Sequence, residues 1–213
     1  RNSPDYMYQV LDALKEESID RFMLPDTLGI LNQQEAYDFC LDMKTRYPGL
    51  NFDFHAHNDY DLATANTFSA IKAGLTGIHT TLNGLGERAG NVPLSSVIGV
   101  VKDHFKYDMS VQEDRLYHAS KMLESFSGIR VPSNKPLIGE NVFTQTSGIH
   151  ADGDQKDDLY FNDLLPERFG RKRTYALGKM SGKASILKNL EELGIELNPD
   201  EMKLVTERVI ELG

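Results

Sequence analysis

The sequence predicts an α/β fold built of parallel βαβ units, and three observations predict it. First, three apolar strand-like runs, Arg21-Phe22-Met23-Leu24, Phe52-Asp53-Phe54-His55 and Gly77-Ile78-His79-Thr80-Thr81, recur about every 25–30 residues. Second, each follows an amphipathic helical stretch: Tyr6 to Lys15, Gln33 to Thr45 and Asp61 to Lys72. Third, Tyr47-Pro48-Gly49 and Ala73-Gly74 stand just past the second and third of these, where a helix stops. Strands joined through a helix can pair in parallel, whereas a two-residue turn would force antiparallel pairing.

A further helix is expected after Pro93, through Val97 to Val101. The rhythm then changes. Asp114 to Phe126 reads as an amphipathic helix, Val131 to Pro136 as an extended linker, and Phe143 to Gly182 as loop-rich. Two helices close the chain. Ser185 to Leu193 sets Ile186, Leu190 and Leu193 on one face before Gly194, and the last begins with Asn198 as N-cap, Pro199 next and Glu201 completing a capping box. Three βα units do not close a sheet, and an eight-stranded (β/α)₈ barrel needs about 250 residues. An open dinucleotide-binding sheet would carry a glycine-rich loop after its first strand. The expected architecture is therefore the last three βα units of a (β/α)₈ barrel over residues 1–112, followed by a linker and mainly helical subdomain over 113–213, with the earlier barrel units upstream of Arg1.

Composition narrows the function. The 213-residue chain carries a net charge of −9, which argues against nucleic-acid binding. It has no apolar run long enough for a membrane span and no signal-peptide pattern at Arg1-Asn2-Ser3-Pro4. The single Cys40 excludes an internal disulfide and fits a reducing cytoplasm; its place in a helical apolar rhythm reads as a buried structural thiol.

The most specific motif is His55-Ala56-His57-Asn58-Asp59 at a strand end. Residues i and i+2 of a strand share a side, so both imidazoles can converge on one ion. The C-terminal ends of barrel strands are where active sites are built. Neutral imidazoles suit Zn²⁺, Mn²⁺, Co²⁺ or Fe²⁺; the bland alternative is two satisfied rim histidines. Asp59 offers a cap for the next helix and Asn58 a brace for the turn. One βα unit later comes Asn83-Gly84-Leu85-Gly86-Glu87-Arg88-Ala89-Gly90-Asn91, whose glycines permit close backbone approach. Asn91 can add an oxygen ligand, while Glu87 and Arg88 fit either catalysis or a salt bridge closing the rim. A third segment, Thr144 to Lys156, lacks the EF-hand pattern and reads as a polar loop presenting His150 for proton transfer, with the Tyr160 phenol ten residues on. His79 reads as core or rim, His104 and His118 as solvated. Arg168, Arg171, Lys172 and Arg173 form either a solvated or interface face or a site for coenzyme A phosphates.

Taken together, these motifs resemble the isopropylmalate, citramalate and homocitrate synthases, a branch of the DRE-TIM metallolyases. The likeness runs through Leu24-Pro25-Asp26-Thr27-Leu28-Gly29, His55 to Asp59, Asn83 to Asn91, Gly148 to Gly153, Leu165 to Gly170 and Leu177 to Lys183, with a texture nearest the citramalate-synthase-like members. The resemblance implies a Claisen-type condensation of acetyl-CoA with a 2-oxoacid, giving a 2-alkylmalate (2-isopropylmalate or citramalate) and CoA, in branched-chain amino-acid biosynthesis in the cytoplasm. It implies a divalent metal (Zn, Mn, Mg or Co) on His55, His57 and Asn91, and Thr27 on the 2-oxoacid carboxylate. It further implies Glu87, His150 and Tyr160 as catalytic residues, and a homodimer in which His150 and Tyr160 reach the partner's barrel. The first-strand motif that carries the family's aspartate ligand and catalytic arginine is absent from this sequence. Rival readings are a metal-dependent acyl-CoA lyase or aldolase on the same barrel, an H-x-H metal hydrolase (for which the later ligands are missing), and a non-catalytic module.

Overall fold

The computed structural model describes residues 4–154, 156, 159–179 and 181–213. The chain divides into two compact units, 1–109 and 110–213.

In the first unit, α1 (Pro4–Leu14), β1 (Phe22–Asp26), α2 (Gln33–Arg46), β2 (Phe52–Ala56), α3 (Ala63–Lys72), β3 (Gly77–His79) and α4 (Leu94–His104) follow in turn. The strands form one parallel sheet in the order β1-β2-β3. Alternation decides its two faces. Leu24, Phe52, Phe54 and Ala56 point to one side and pack in a buried core with Ala36, Cys40 and Met43 of α2, Ala63, Ala70 and Ile71 of α3, and Val97 and Val101 of α4. Their neighbours in sequence point the other way. Register pairs Met23 with Asp53, Pro25 with His55, and His55 with His79, so these side chains share the second face. Met23 is half exposed there and Pro25 is exposed. A parallel sheet is normally covered on both faces, and here helices cover one.

Two strand limits differ from the sequence reading. β1 runs through Pro25 to Asp26. Phe22 N–H donates to Asn51 O, so Leu24 also turns its amide toward β2 and Pro25 turns its missing N–H to the outer edge. β3 stops at His79 because Thr81 pairs instead with the returning chain: its N–H donates to Val92 O and its carbonyl accepts from Leu94 N.

The second unit comprises a 3₁₀ turn at Glu113–Arg115, α5 (Leu116–Ser127), β4 (Thr144–Gln145), α6 (Gly148–Asp154), a 3₁₀ turn at Pro166–Phe169, β5 (Thr174–Tyr175), α7 (Lys183–Leu193) and α8 (Pro199–Leu212). The two-residue strands pair in parallel, a contact too short for any periodicity to foretell. Gly128, at φ 72°, ends α5 in the left-handed conformation that a β-carbon disfavours. The expected capping box of α8 is present: Asn198 accepts from Asp200 and Glu201 N–H, and Asn198 N–H donates to Glu201. On α7, Ile186 is buried while Leu193 is exposed, so the expected apolar face is shorter than three residues.

Three residues of the basic run have partners within the second unit. Arg168 pairs with the buried Glu113 at 2.8 Å. Arg171 donates to Gly139 and Glu140 carbonyls and lies over the Tyr117 ring. Arg173 covers the Phe161 ring. Lys172 alone of the four is exposed. Cys40 is fully buried, and burial pushes its thiol up to about 12.

Candidate active site

The end of β2 builds the site. With Phe54 and Ala56 buried against the helices, His55 takes the opposite side and His57 follows it; their ring centroids lie 5.1 Å apart at 76°. The returning loop is stitched to this strand end. Asn58 N–H donates to Gly90 O at 3.0 Å, Val92 N–H to Ala56 O at 3.1 Å, and an isolated bridge joins His57 to Asn91. Asn91 is buried; its amide nitrogen donates to Leu85 O, while its Oδ1 has no partner. Nδ1 of His55 and Nδ1 of His57 are also buried and unpartnered.

Buried polar atoms are nearly always hydrogen-bonded, so these three orphans around one strand end can be satisfied by a bound ion or by ordered water. Two imidazoles and an amide oxygen suit a divalent transition metal. Burial, then the neighbouring His57 and His79, lower the pKa of His55 and so favour its neutral ring. Among the described residues no group of three or more His, Cys, Asp or Glu is disposed to hold an ion.

Glycine geometry sets the loop. Gly84 and Gly90 have φ of 76° and 86°. A β-carbon at Gly90 would collide with the Gly84 carbonyl, and one at Gly86 with the Asn91 amide. Arg88 answers the question its sequence left open. Its Nε and Nη2 donate to Asp59 at 2.8 and 3.0 Å, and Nη2 also donates to Thr27 O at 2.6 Å, so it ties the loop to the ends of β1 and β2. This bidentate bond holds the Asp59 carboxyl below its usual range. Asp59 therefore does not cap the next helix. Asn58 braces the turn, its amide nitrogen donating to Asp61 Oδ1 at 3.0 Å and its Oδ1 accepting from Ala63 N–H at 3.1 Å. Glu87 stays 85% exposed, with one approach to Arg88 of 3.8 Å, and Thr27 is exposed beside the clamp.

In the second unit His150 sits on α6, a short helix where the sequence suggested a loop. The His150 and Tyr160 rings lie 4.4 Å apart at 43°. Gly153, one helical turn on, leaves the space that the Tyr160 ring fills. Tyr160 also lines a cavity of about 280 Å³ with Phe143, Thr144, Gln145 and Arg173. Gln155, at the end of that motif, and Met180, within Leu177 to Lys183, lie outside the described residues. His104 and His118 are exposed, as expected of solvated side chains.

Sequence reasoning missed two features of the first unit. One is the choice of partners, Asp59 and Thr27, in the salt bridge it allowed Arg88. The other is a chain of contacts below His55, in which His79 meets Asp53 and Asp53 meets Arg21. Both depend on strand register, which residue spacing does not reveal.

A family model described as HMGL-like matches residues 1–123. The chain belongs to this family. A second model, homocitrate synthase post-HMGL domain-like, matches residues 137–213. The chain is 36% identical over 214 aligned residues to a Methanopyrus kandleri protein named as an (R)-citramalate synthase, covering 100% of the chain and 42% of that relative. It is 37% identical to a homocitrate synthase of Sulfurisphaera tokodaii over 98% of the chain and 45% of the relative. The chain thus spans less than half the length of these curated relatives. Among solved structures, Bacillus subtilis HMG-CoA lyase aligns with a TM-score of 0.54 at 23% identity, over 59% of this chain and 44% of that one. Hydroxymethylglutaryl-CoA lyase from Pseudomonas aeruginosa aligns with a TM-score of 0.55 at 19% identity, over 61% and 45%. These likenesses support the α/β architecture with parallel strands of a barrel family. No helix among the described residues is long and apolar enough to cross a membrane.

Proposed function

We propose that this chain supplies the metal-binding and proton-transferring parts of an enzyme that condenses acetyl-CoA with a 2-oxoacid, releasing CoA and a 2-alkylmalate such as 2-isopropylmalate or citramalate. The observation that carries the reading is the trio of buried, unpartnered atoms on His55, His57 and Asn91 at one strand end. The names of the relatives, citramalate and homocitrate synthases, agree with it.

In this reading His55, His57 and Asn91 hold a divalent metal (Zn, Mn, Mg or Co). When bound, the ion supplies Lewis-acid polarisation of the 2-oxoacid's keto group. Thr27, exposed beside the Arg88 clamp, holds the 2-oxoacid carboxylate. His150 takes a proton from the acetyl-CoA methyl group, and the carbanion equivalent attacks the keto carbon. Tyr160, packed on His150, donates to the oxyanion that develops. Glu87 shares the proton traffic; its exposure leaves it available to a bound substrate. Water then cleaves the thioester to release CoA. We further propose that the working protein is a cytoplasmic homodimer in branched-chain amino-acid biosynthesis, its barrel completed by an N-terminal half.

His150→Ala should lower kcat by roughly 10²–10⁴-fold while leaving metal content unchanged. Loss of metal in that variant would move His150 into the ligand set and overturn its role. Thiol release that requires both acetyl-CoA and a 2-oxoacid separates condensation from the lyase direction, in which a hydroxyacyl-CoA is cleaved without added 2-oxoacid.

A further inference from the structure

The second face of the sheet holds a network that the proposed chemistry leaves unused. Register sets Gly77 beside Asp53 and His79 beside His55. Asp53 Oδ2 lies 3.2 Å from His79 Nε2, and its Oδ1 accepts from Arg21 Nε at 2.5 Å. Arg21 also donates to Thr76 Oγ1 at 3.3 Å. The His79 ring stands edge-on to His55, with centroids 5.7 Å apart at 75°. On its other flank His55 meets His57 at a similar angle, 76°.

Gly77 makes this arrangement possible. Its φ is not positive, so no backbone requirement calls for glycine there. A β-carbon at Gly77, however, would coincide with the Asp53 carboxylate and crowd the Arg21 guanidinium. The space of the missing side chain is where Asp53 crosses β3 to reach its partners. With Nε2 engaged by a carboxylate, His79 is not placed as a third ligand, in keeping with the lack of any group of three ligating side chains among the described residues.

We propose that His79, held by Asp53 and Arg21 in the space left by Gly77, is a positioning residue that fixes the His55 ring in its metal-binding orientation. Outer partners of a ligating histidine commonly contribute about 10–100-fold in metal affinity. The inference rests on the reading of His55 as a ligand, and the experiment separates the two. Co²⁺ binding to the full-length protein would be followed by titration and by the d–d absorption bands, for the unmodified protein, His79→Ala, Asp53→Asn and His55→Ala. The proposal expects His79→Ala to weaken Co²⁺ binding by about 10–100-fold and to shift the bands at an unchanged melting temperature. Asp53→Asn, which keeps the side-chain shape, should act in the same direction and decides the question if His79→Ala does not fold. His55→Ala should abolish binding. Unchanged affinity and spectrum in both outer variants, with binding lost in His55→Ala, would overturn the positioning role alone. Abolition by His79→Ala equal to that by His55→Ala would make His79 a ligand and overturn it too. Binding that survives His55→Ala would instead remove the metal reading on which the inference stands.

Discussion

Two titratable groups show how position sets reactivity. The Cys40 thiol, buried in the core of the first unit, is pushed up to about 12. At pH 8 only about one thiol in 10⁴ would be ionised, and the thiolate is the reactive form. The folded protein should therefore leave Cys40 unlabelled by a disulfide reagent, while denaturant exposes one reactive thiol; rapid labelling of the native state would contradict the packing. Asp59 shifts the other way, below its ordinary value of 3.8, chiefly through the hydrogen bond from Arg88. A carboxylate with a lowered folded-state pKa stabilises fully above its unfolded value, and that contribution is lost as pH falls through the lower one. The clamp should thus be intact at neutral pH and open only in acid, below pH 3.8. Asp59→Asn should open it at neutral pH, seen as faster hydrogen exchange at the Gly90 and Asn91 amides with little change in the sheet.

At the scale of elements, the glycine loop and the helix caps carry separable predictions. Gly90→Ala meets both a φ of 86° and the Gly84 carbonyl, so it should distort the loop and displace Asn91. Gly49→Ala, where a β-carbon meets nothing within 4 Å, is the matched control and should leave metal binding unchanged. Asn198→Ala removes a side chain that accepts two amide hydrogen bonds and should cost about 1 kcal/mol in denaturant unfolding. These elements also mark what the sequence can and cannot reveal. The βα rhythm, the buried Cys40 and the Asn198 capping box follow from local patterns of polarity and turn residues. The continuation of β1 through Pro25 does not, because a proline is tolerated only once the free edge is known. The α6 helix under His150 is hidden from sequence reading because its glycines and aspartates disfavour helix intrinsically. The Arg88 clamp and the Asp53 network join residues 26 to 61 positions apart, and register alone brings them together. For the site itself, spacing places His55 and His57 on a shared side, while the burial of Asn91 requires the folded loop.

For the whole molecule, the starting point is the first unit, where Leu24, Phe52, Phe54 and Ala56 pack against the helices and the face that carries His55 exposes Met23 and Pro25. A parallel sheet open in this way favours association with whatever completes it. On the proposed reading, in which His55, His57 and Asn91 are the only ligands this chain supplies, we expect the 213 residues by themselves to bind divalent metal weakly and to release no thiol from acetyl-CoA; among the described residues no group of three or more His, Cys, Asp or Glu is disposed to hold an ion. A monodisperse monomer of these residues that turns over substrate would refute the incomplete-barrel account. The central claim, that His55 and His57 hold one ion serving a condensation, is tested most directly by a single assay on the full-length protein. Thiol release from acetyl-CoA would be measured with pyruvate or 2-oxoisovalerate, before and after chelation and metal repletion, in the unmodified protein and in His57→Ala. The account predicts release that depends on the 2-oxoacid, vanishes on chelation, returns with Mn²⁺, Co²⁺ or Zn²⁺, and is absent from the variant. Release that persists through chelation, or that His57→Ala retains, would contradict it.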